Sequence, residues 1–219
     1  MAKDEPLTKT VETCIQRFGK QFSRWSDNRV WYEYDAQFRL LSHLCSSLDP
    51  SSPKQAAMVH AEIPARNGQR YDIAVYDKET AQRIVDRHFA NPEWADIMRE
   101  KERVAVVVEV ALAWVEGEPK TRMSHHSIYY AYRTRIRAAM RRLVDNAEDG
   151  QLKRGTTHYV VICCITRQYK RTRKYADYEL VEKAREWVKK ELRRNCANKP
   201  IFVRVYWASD HPDDSPDWI

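Results

Sequence analysis

The segment Val104 to Trp114, VAVVVEVALAW, constrains this chain more than any other. It is almost continuously apolar and rich in valine. That pattern fits a central strand covered on both faces, because a half-exposed strand would alternate apolar and polar residues. The run is too short to cross a bilayer as a helix, which takes about 20 apolar residues, and no longer apolar run exists. The chain is therefore expected to build a sheet with helices packed on it. Its 219 residues suit one sizeable domain. Hydrophobic residues at 43% and charged residues at 32%, with only 5 Gly, exclude a disordered or low-complexity chain.

Around this strand the pattern predicts an α/β order. Val11, Ile15 and Phe18 lie at helical spacing, so residues 7–24 read as a leading helix. A second helix is expected over 30–48, with Phe38, Leu41, Leu44 and Cys45 as its apolar stripe. AAMVHAEIPA and RYDIAVYD read as a hairpin around Asn67-Gly68, the strongest turn signal in the chain. Residues 80–102 look helical up to Asn91-Pro92. A long helix is expected over 124–146, then the strand HYVVICCIT, a helix within 178–195, and the strand PIFVRVYW. An acidic, proline-containing tail ends the chain. The expectation is a single domain: a leading helix in 1–29, a core in 30–166, and a C-terminal helix, strand and tail in 167–219. Its mixed central sheet would be flanked by helices.

Five cysteines, Cys14, Cys45, Cys163, Cys164 and Cys196, show no C-x-x-C spacing, which argues against a zinc site or disulfide framework. The N-terminus, MAKDEPLTKT, lacks the apolar core of a secretory signal. The expected setting is cytoplasmic, with no membrane association. The formal net charge of +7 favours an anionic partner such as nucleic acid. Arg133, Arg137 and Arg141 on the long helix, and Lys170, Arg171 and Arg173 in a basic loop, are the candidate phosphate contacts. No G-x-x-x-x-G-K-[ST] or G-x-G-x-x-G occurs, so no nucleotide cofactor is expected.

Glu109 is the anomaly within the apolar run. An unpaired carboxylate there costs several kcal/mol or has to remain protonated. Asp72, flanked by apolar Ile73 and Val75, poses the same problem. If their strands pair, the two acids meet on one face. Two carboxylates with a backbone carbonyl and waters would make an octahedral Mg²⁺ site.

The stretch HAEIPARNGQRYDIAVYD followed by VAVVVEVALAW resembles the PD-(D/E)xK nuclease superfamily, which has the restriction-endonuclease-like fold. The family core is helix, three antiparallel strands, helix, strand, corresponding here to about residues 30–166. The resemblance implies a metal-dependent DNA endonuclease. Asp72 and Glu109 would bind Mg²⁺ or Mn²⁺, with Glu62 on the first strand as a further ligand. The helix acid of the family would be Glu33, with Asp35 as its rival. DNA would be the partner, and a two-fold homodimer is common where both strands are cut.

One position departs from the motif. The family carries Glu-x-Lys where this chain reads Glu109-Val110-Ala111. The lysine would stand beside the attacking water and scissile phosphate, and losing one such charge costs about 10²–10³ in rate. Three explanations are open: an engineered Lys-to-Ala variant, a natural nuclease-fold protein that only binds, or a cation supplied from elsewhere, such as Lys120. As written, the chain is expected to bind metal and DNA and to cut poorly.

Overall fold

The computed structural model describes residues 6–22, 33–49, 56–64, 70–90, 104–116, 156–167, 186, 190, 201–208 and 217–218. Two helices come first, α1 (Leu7–Phe22) and α2 (Glu33–Leu48). They are followed by strands β1 (Val59–Pro64) and β2 (Arg70–Val75), then α3 (Lys78–Ala90). The remaining strands are β3 (Val106–Glu116), β4 (Thr157–Arg167), β5 (Ile201–Ala208) and the two-residue β6 (Asp217–Trp218). The protein is mixed α/β. Its strands are hydrogen-bonded in chain order, β1-β2-β3-β4-β5-β6.

Contacts divide the chain into two compact units, whose boundary passes through α1, α2, β3 and β4. The first unit comprises Met1–Phe18, Gln37–Glu109 and Leu143–Tyr159. Its strands β1 and β2 form the expected antiparallel hairpin, with Val59 opposite Val75 and Ile63 opposite Tyr71. Strand β3 continues antiparallel to β2, with Ile73 opposite Val108 and Val75 opposite Val106. The Thr157 N–H donates to the Ala105 carbonyl at 3.0 Å. The Thr156 hydroxyl donates to the Val104 carbonyl at 2.7 Å. Strand β4 thus sets off beside the start of β3 and runs parallel to it, which makes the sheet mixed.

Two aspartates fix the ends of elements in this unit. Asp49 Oδ1 accepts from the Met58 and Val59 N–H groups at 2.7 and 3.1 Å, tying the end of α2 to the start of β1. Asp77 caps α3, accepting the Thr80 N–H at 2.8 Å and the Thr80 hydroxyl at 3.1 Å.

The second unit comprises Gly19–Ala36, Val110–Arg142 and Val160–Ile219. Strands β5 and β6 pair antiparallel there, with Arg204 opposite Trp218. The acidic, proline-containing tail thus includes a short strand, because Asp217 and Trp218 pair with β5. Gly19 of α1 lies against the Tyr206 ring, so closely that any β-carbon would overlap it. Tyr206 is buried, which leaves its ring no room to withdraw.

The leading helix follows its sequence pattern: Val11, Cys14, Ile15, Phe18 and Phe22 are all buried. The stripe read for α2 is displaced. Its buried positions are Ala36, Gln37, Leu40 and Leu44, while Phe38 is 68% exposed and Leu41 and Cys45 are only half-buried. Pattern reading chose the apolar Phe38 over its polar neighbour, whereas the helix turns Gln37 inward to satisfy backbone and side-chain acceptors. No helix among the described residues is long and apolar enough to cross a membrane. The expected helix over 124–146, the Asn67-Gly68 turn and most of 178–195 lie outside the described residues. Glu186 and Lys190 are helical.

Candidate metal centre

The hairpin register determines which side chains can meet. In β1 and β2, Ala61 pairs with Ile73 and Ile63 with Tyr71, and Glu62 lies between them at the level of Asp72. In β2 and β3, Ile73 pairs with Val108. The pairing ends at Ile73 and Val108; Asp72 and Glu109 are the next residues on their strands and, by alternation, lie on the same side of the sheet. Residues directly opposite on paired strands share a face, with Cβ atoms about 4.5–5.5 Å apart. Glu62, Asp72 and Glu109 therefore fall at one level of three adjacent strands, a row in backbone position whose side chains do not converge as a three-ligand set.

This row is largely withdrawn from water. Glu109 is fully buried and Asp72 retains 9% of its exposure, while Glu62 is half-buried. The reading of β3 as covered on both faces holds, because every residue from Val106 to Leu112 is buried. The backbone of Glu62 is unusual. Its φ of 53° lies in the left-handed region, which non-glycine residues rarely occupy. The standard β1–β2 pairing lapses at this one residue and resumes at Ile63.

Gln37 of α2 meets the row from above. Its Nε2 donates to Glu62 Oε1 at 3.0 Å and to the backbone carbonyl of Asp72 at 2.9 Å. Sequence reasoning missed this residue. The available signal was a glutamine in register with Leu40 and Leu44 on a helix whose inward face is otherwise apolar. Glu33, the expected helix acid, opens α2 one turn before Gln37. Its rival Asp35 is half-buried on the same helix. Ala111 is buried in β3 two residues beyond Glu109, which puts it on the same side of that strand by alternation.

Among the described residues no three His, Cys, Asp or Glu side chains converge closely enough to hold a metal ion. Glu62 Oε1 is engaged by Gln37, and Asp72 and Glu109 are the other acids of the row, on β2 and β3. The candidate phosphate contacts Arg133, Arg137, Arg141, Lys170, Arg171 and Arg173 lie outside the described residues, as does Lys120.

A second buried ionisable group belongs to the same unit. The Thr157–Ala105 bond sets His158 beside Val107, on the side of the sheet that carries Asp72 and Glu109. Its imidazole is buried, and among the described residues Nδ1 has no hydrogen-bond partner. Burial pushes its pKa down to about 4. Cys45 is shifted the other way: burial, followed by the Asp49 carboxylate, pushes its thiol up to about 11. Cys14, Cys45 and Cys163 are free thiols.

No protein-family model matches the chain, and no curated protein or solved structure matches it either.

Proposed function

We propose that this protein is a metal-dependent, PD-(D/E)xK-like DNA endonuclease whose catalytic power is impaired by Ala111. The observation that carries the reading is the burial of Asp72 and Glu109 on adjacent antiparallel strands, where alternation puts them on the same side of the sheet. The oxygen donors of these carboxylates are of the hard type that suits Mg²⁺ or Mn²⁺. The order α2, β1, β2, β3, β4 is compatible with this reading, with α3 between the second and third strands and the second helix of the family core falling outside the described residues.

On this reading Asp72 and Glu109 hold the divalent ion, and Glu62 is the further ligand the resemblance implies. A bound ion supplies Lewis acidity toward the phosphodiester and lowers the pKa of a coordinated water. Glu33 or Asp35 supplies the helix acid. Ala111 offers only a methyl group where the motif lysine would stabilise the charge developing on phosphate. DNA, contacted through the arginines of 133–141 and the basic loop at 170–173, is the proposed partner. A homodimer and a cytoplasmic setting, where free thiols remain reduced, complete the reading.

Ala111 also favours a second reading, in which the chain keeps the fold and binds nucleic acid without cutting it. One comparison separates the two. Cleavage of plasmid DNA in Mg²⁺ is measured for the native chain and for Ala111→Lys, alongside the metal affinity of Asp72→Ala. The endonuclease reading expects the lysine to raise cleavage by about 10²-fold or more, and Asp72→Ala to abolish ion binding. If the lysine restores nothing while Asp72→Ala still loses the ion, the binding-only reading stands. If Asp72→Ala also leaves metal affinity unchanged, the site is wrongly assigned.

A further inference from the structure

We infer that the outward face of α2 around Phe38, with Arg17 of α1, is a docking surface for single-stranded nucleic acid: a base stacks on the Phe38 ring while Arg17 and Arg39 hold flanking phosphates. The inference rests on the nucleic-acid partner proposed above and on nothing at the acid row, so it is common to the cutting and the binding-only readings.

The residues of this surface all belong to the first unit, on two helices that touch. The Cys14 thiol donates to the His43 carbonyl at 3.7 Å, which fixes this part of α1 beside α2. Arg17 follows Cys14 by one helical turn and is exposed. It lies close enough to the half-buried His43 that its charge, after burial, holds the imidazole pKa down. Arg39, one turn before His43 on α2, is exposed as well. Two guanidinium groups thus flank His43, one from each helix. Over residues 7–18 and 37–48, every exposed charged side chain is basic: Lys9, Arg17 and Arg39. Glu12, the acid of those stretches, is half-buried. Asp35, one turn ahead of Arg39, is half-buried too, and a pair at that spacing is weak enough to leave the guanidinium able to take a phosphate.

Phe38 adds an aromatic ring to these cations. It adjoins Arg39 and is 68% exposed. The next positions on its row, Ser42 and Ser46, are small, and their hydroxyls donate back to the Phe38 and Ser42 carbonyls at 2.9 and 2.8 Å. The row therefore offers one planar ring beside low, self-satisfied neighbours rather than a continuous apolar surface. An acyl chain or an apolar helix would find a single large side chain to cover, which argues against either. A second copy docked about a two-fold axis would bring the same basic patch against itself. A single strand matches both halves of the surface. Every base has a π-face for the ring, and the phosphates carry the charge that guanidinium groups grip. In a duplex the base faces are hidden by stacking, and the ring would go unused. The formal net charge of +7 favours the approach of such a strand.

The test is fluorescence anisotropy of a labelled oligothymidylate of about 15 nucleotides, titrated with the full chain in EDTA at several salt concentrations. Phe38→Ala should weaken binding about tenfold at every salt concentration, with the slope of log affinity against log salt unchanged, and Phe38→Trp should restore it. Arg17→Gln and Arg39→Gln should each flatten that slope by about 0.7, one phosphate contact on a single strand. Native-like affinity in Phe38→Ala, or native slopes in both arginine variants, overturns the inference and leaves the nucleic-acid reading standing. So does a duplex of the same length bound as tightly as the single strand and indifferent to Phe38. Vesicles of phosphatidylcholine and phosphatidylserine that bind the native chain in place of the oligonucleotide, and release Phe38→Ala, would assign the surface to lipid instead. If the native chain retains no oligonucleotide at low salt, the nucleic-acid reading itself fails and the inference falls with it.

Discussion

Two rows cross the same three strands one residue apart, and their chemistry is opposite. Ala61, Ile73 and Val108 are paired in one, and Glu62, Asp72 and Glu109 are the residues next to them in sequence in the other. Ile73 and Val108 are fully buried, and so is Glu109. Ala61 is exposed and Glu62 has a left-handed backbone, so the comparison is between Ile73 and Val108 on one side and Glu109 on the other, where enclosure is equal and the difference lies in what burial does for each side chain. Removing a Leu- or Ile-sized group from water contributes about 1.5–3 kcal/mol. Removing a carboxylate costs several. Burial of the apolar side chains favours folding by itself, whereas burial of the acids does so only together with the groups that they interact with. Ile73→Ala measures the first half of this contrast. It should cost about 2–5 kcal/mol in urea unfolding, with the slope of the transition unchanged. A loss below about 1 kcal/mol would mean that the interior around β2 is loosely packed, and the comparison between the rows would lose its basis.

The next largest effect concerns how dry the acid-bearing side is. His158 lies on that side beside Val107, and burial alone lowers its pKa from 6.5 to about 4. The unfolded chain then takes up the proton first as pH falls. The contribution of His158 to stability is complete above about pH 6.5 and is lost progressively as pH drops toward 4. At about 1.4 kcal/mol per pH unit the loss reaches on the order of 3 kcal/mol. Denaturant midpoints at closely spaced pH values should show this slope in the native chain and a flatter one in His158→Phe. Identical slopes in the two proteins would show that water reaches the imidazole, and by extension the neighbouring carboxylates.

How much of this was legible beforehand follows from what each pattern encodes. The apolar run around Glu109 announced a doubly covered strand, and the structure has one, because continuous valine can only be satisfied between two layers. The hairpin of β1 and β2 was legible from alternation on either side of Asn67-Gly68. The row itself was half legible. Asp72 and Glu109 stood out as acids among apolar neighbours, and both are buried on adjacent strands, yet whether two such acids face each other depends on register, which a single strand does not state. The stripe of α2 was misread because Phe38 looks like a core residue and Gln37 does not. Only the acceptors on β1 and β2, distant in sequence, explain why the glutamine turns inward and the phenylalanine remains 68% exposed. The pairing of Asp217 and Trp218 with β5 was hidden for a similar reason: two residues carry no periodicity.

The smallest expected effect divides the two rows most sharply, because its sign changes with conditions. Glu109→Gln keeps the shape of the side chain and removes its charge. If Glu109 is retained to hold an ion, ion-free buffer should show the variant within about 1 kcal/mol of the native chain, or more stable, since one buried charge is gone. Adding Mn²⁺ should then stabilise the native chain and leave the variant where it was, so that the order of stabilities reverses. If Glu109 instead belongs to a structural ion pair, removing its charge strands the partner, and the variant should lose about 3–5 kcal/mol in ion-free buffer. That loss would move Glu109 from the metal centre to the scaffold. The contrast between its row and that of Ile73 would then be one between two ways of stabilising the same sheet.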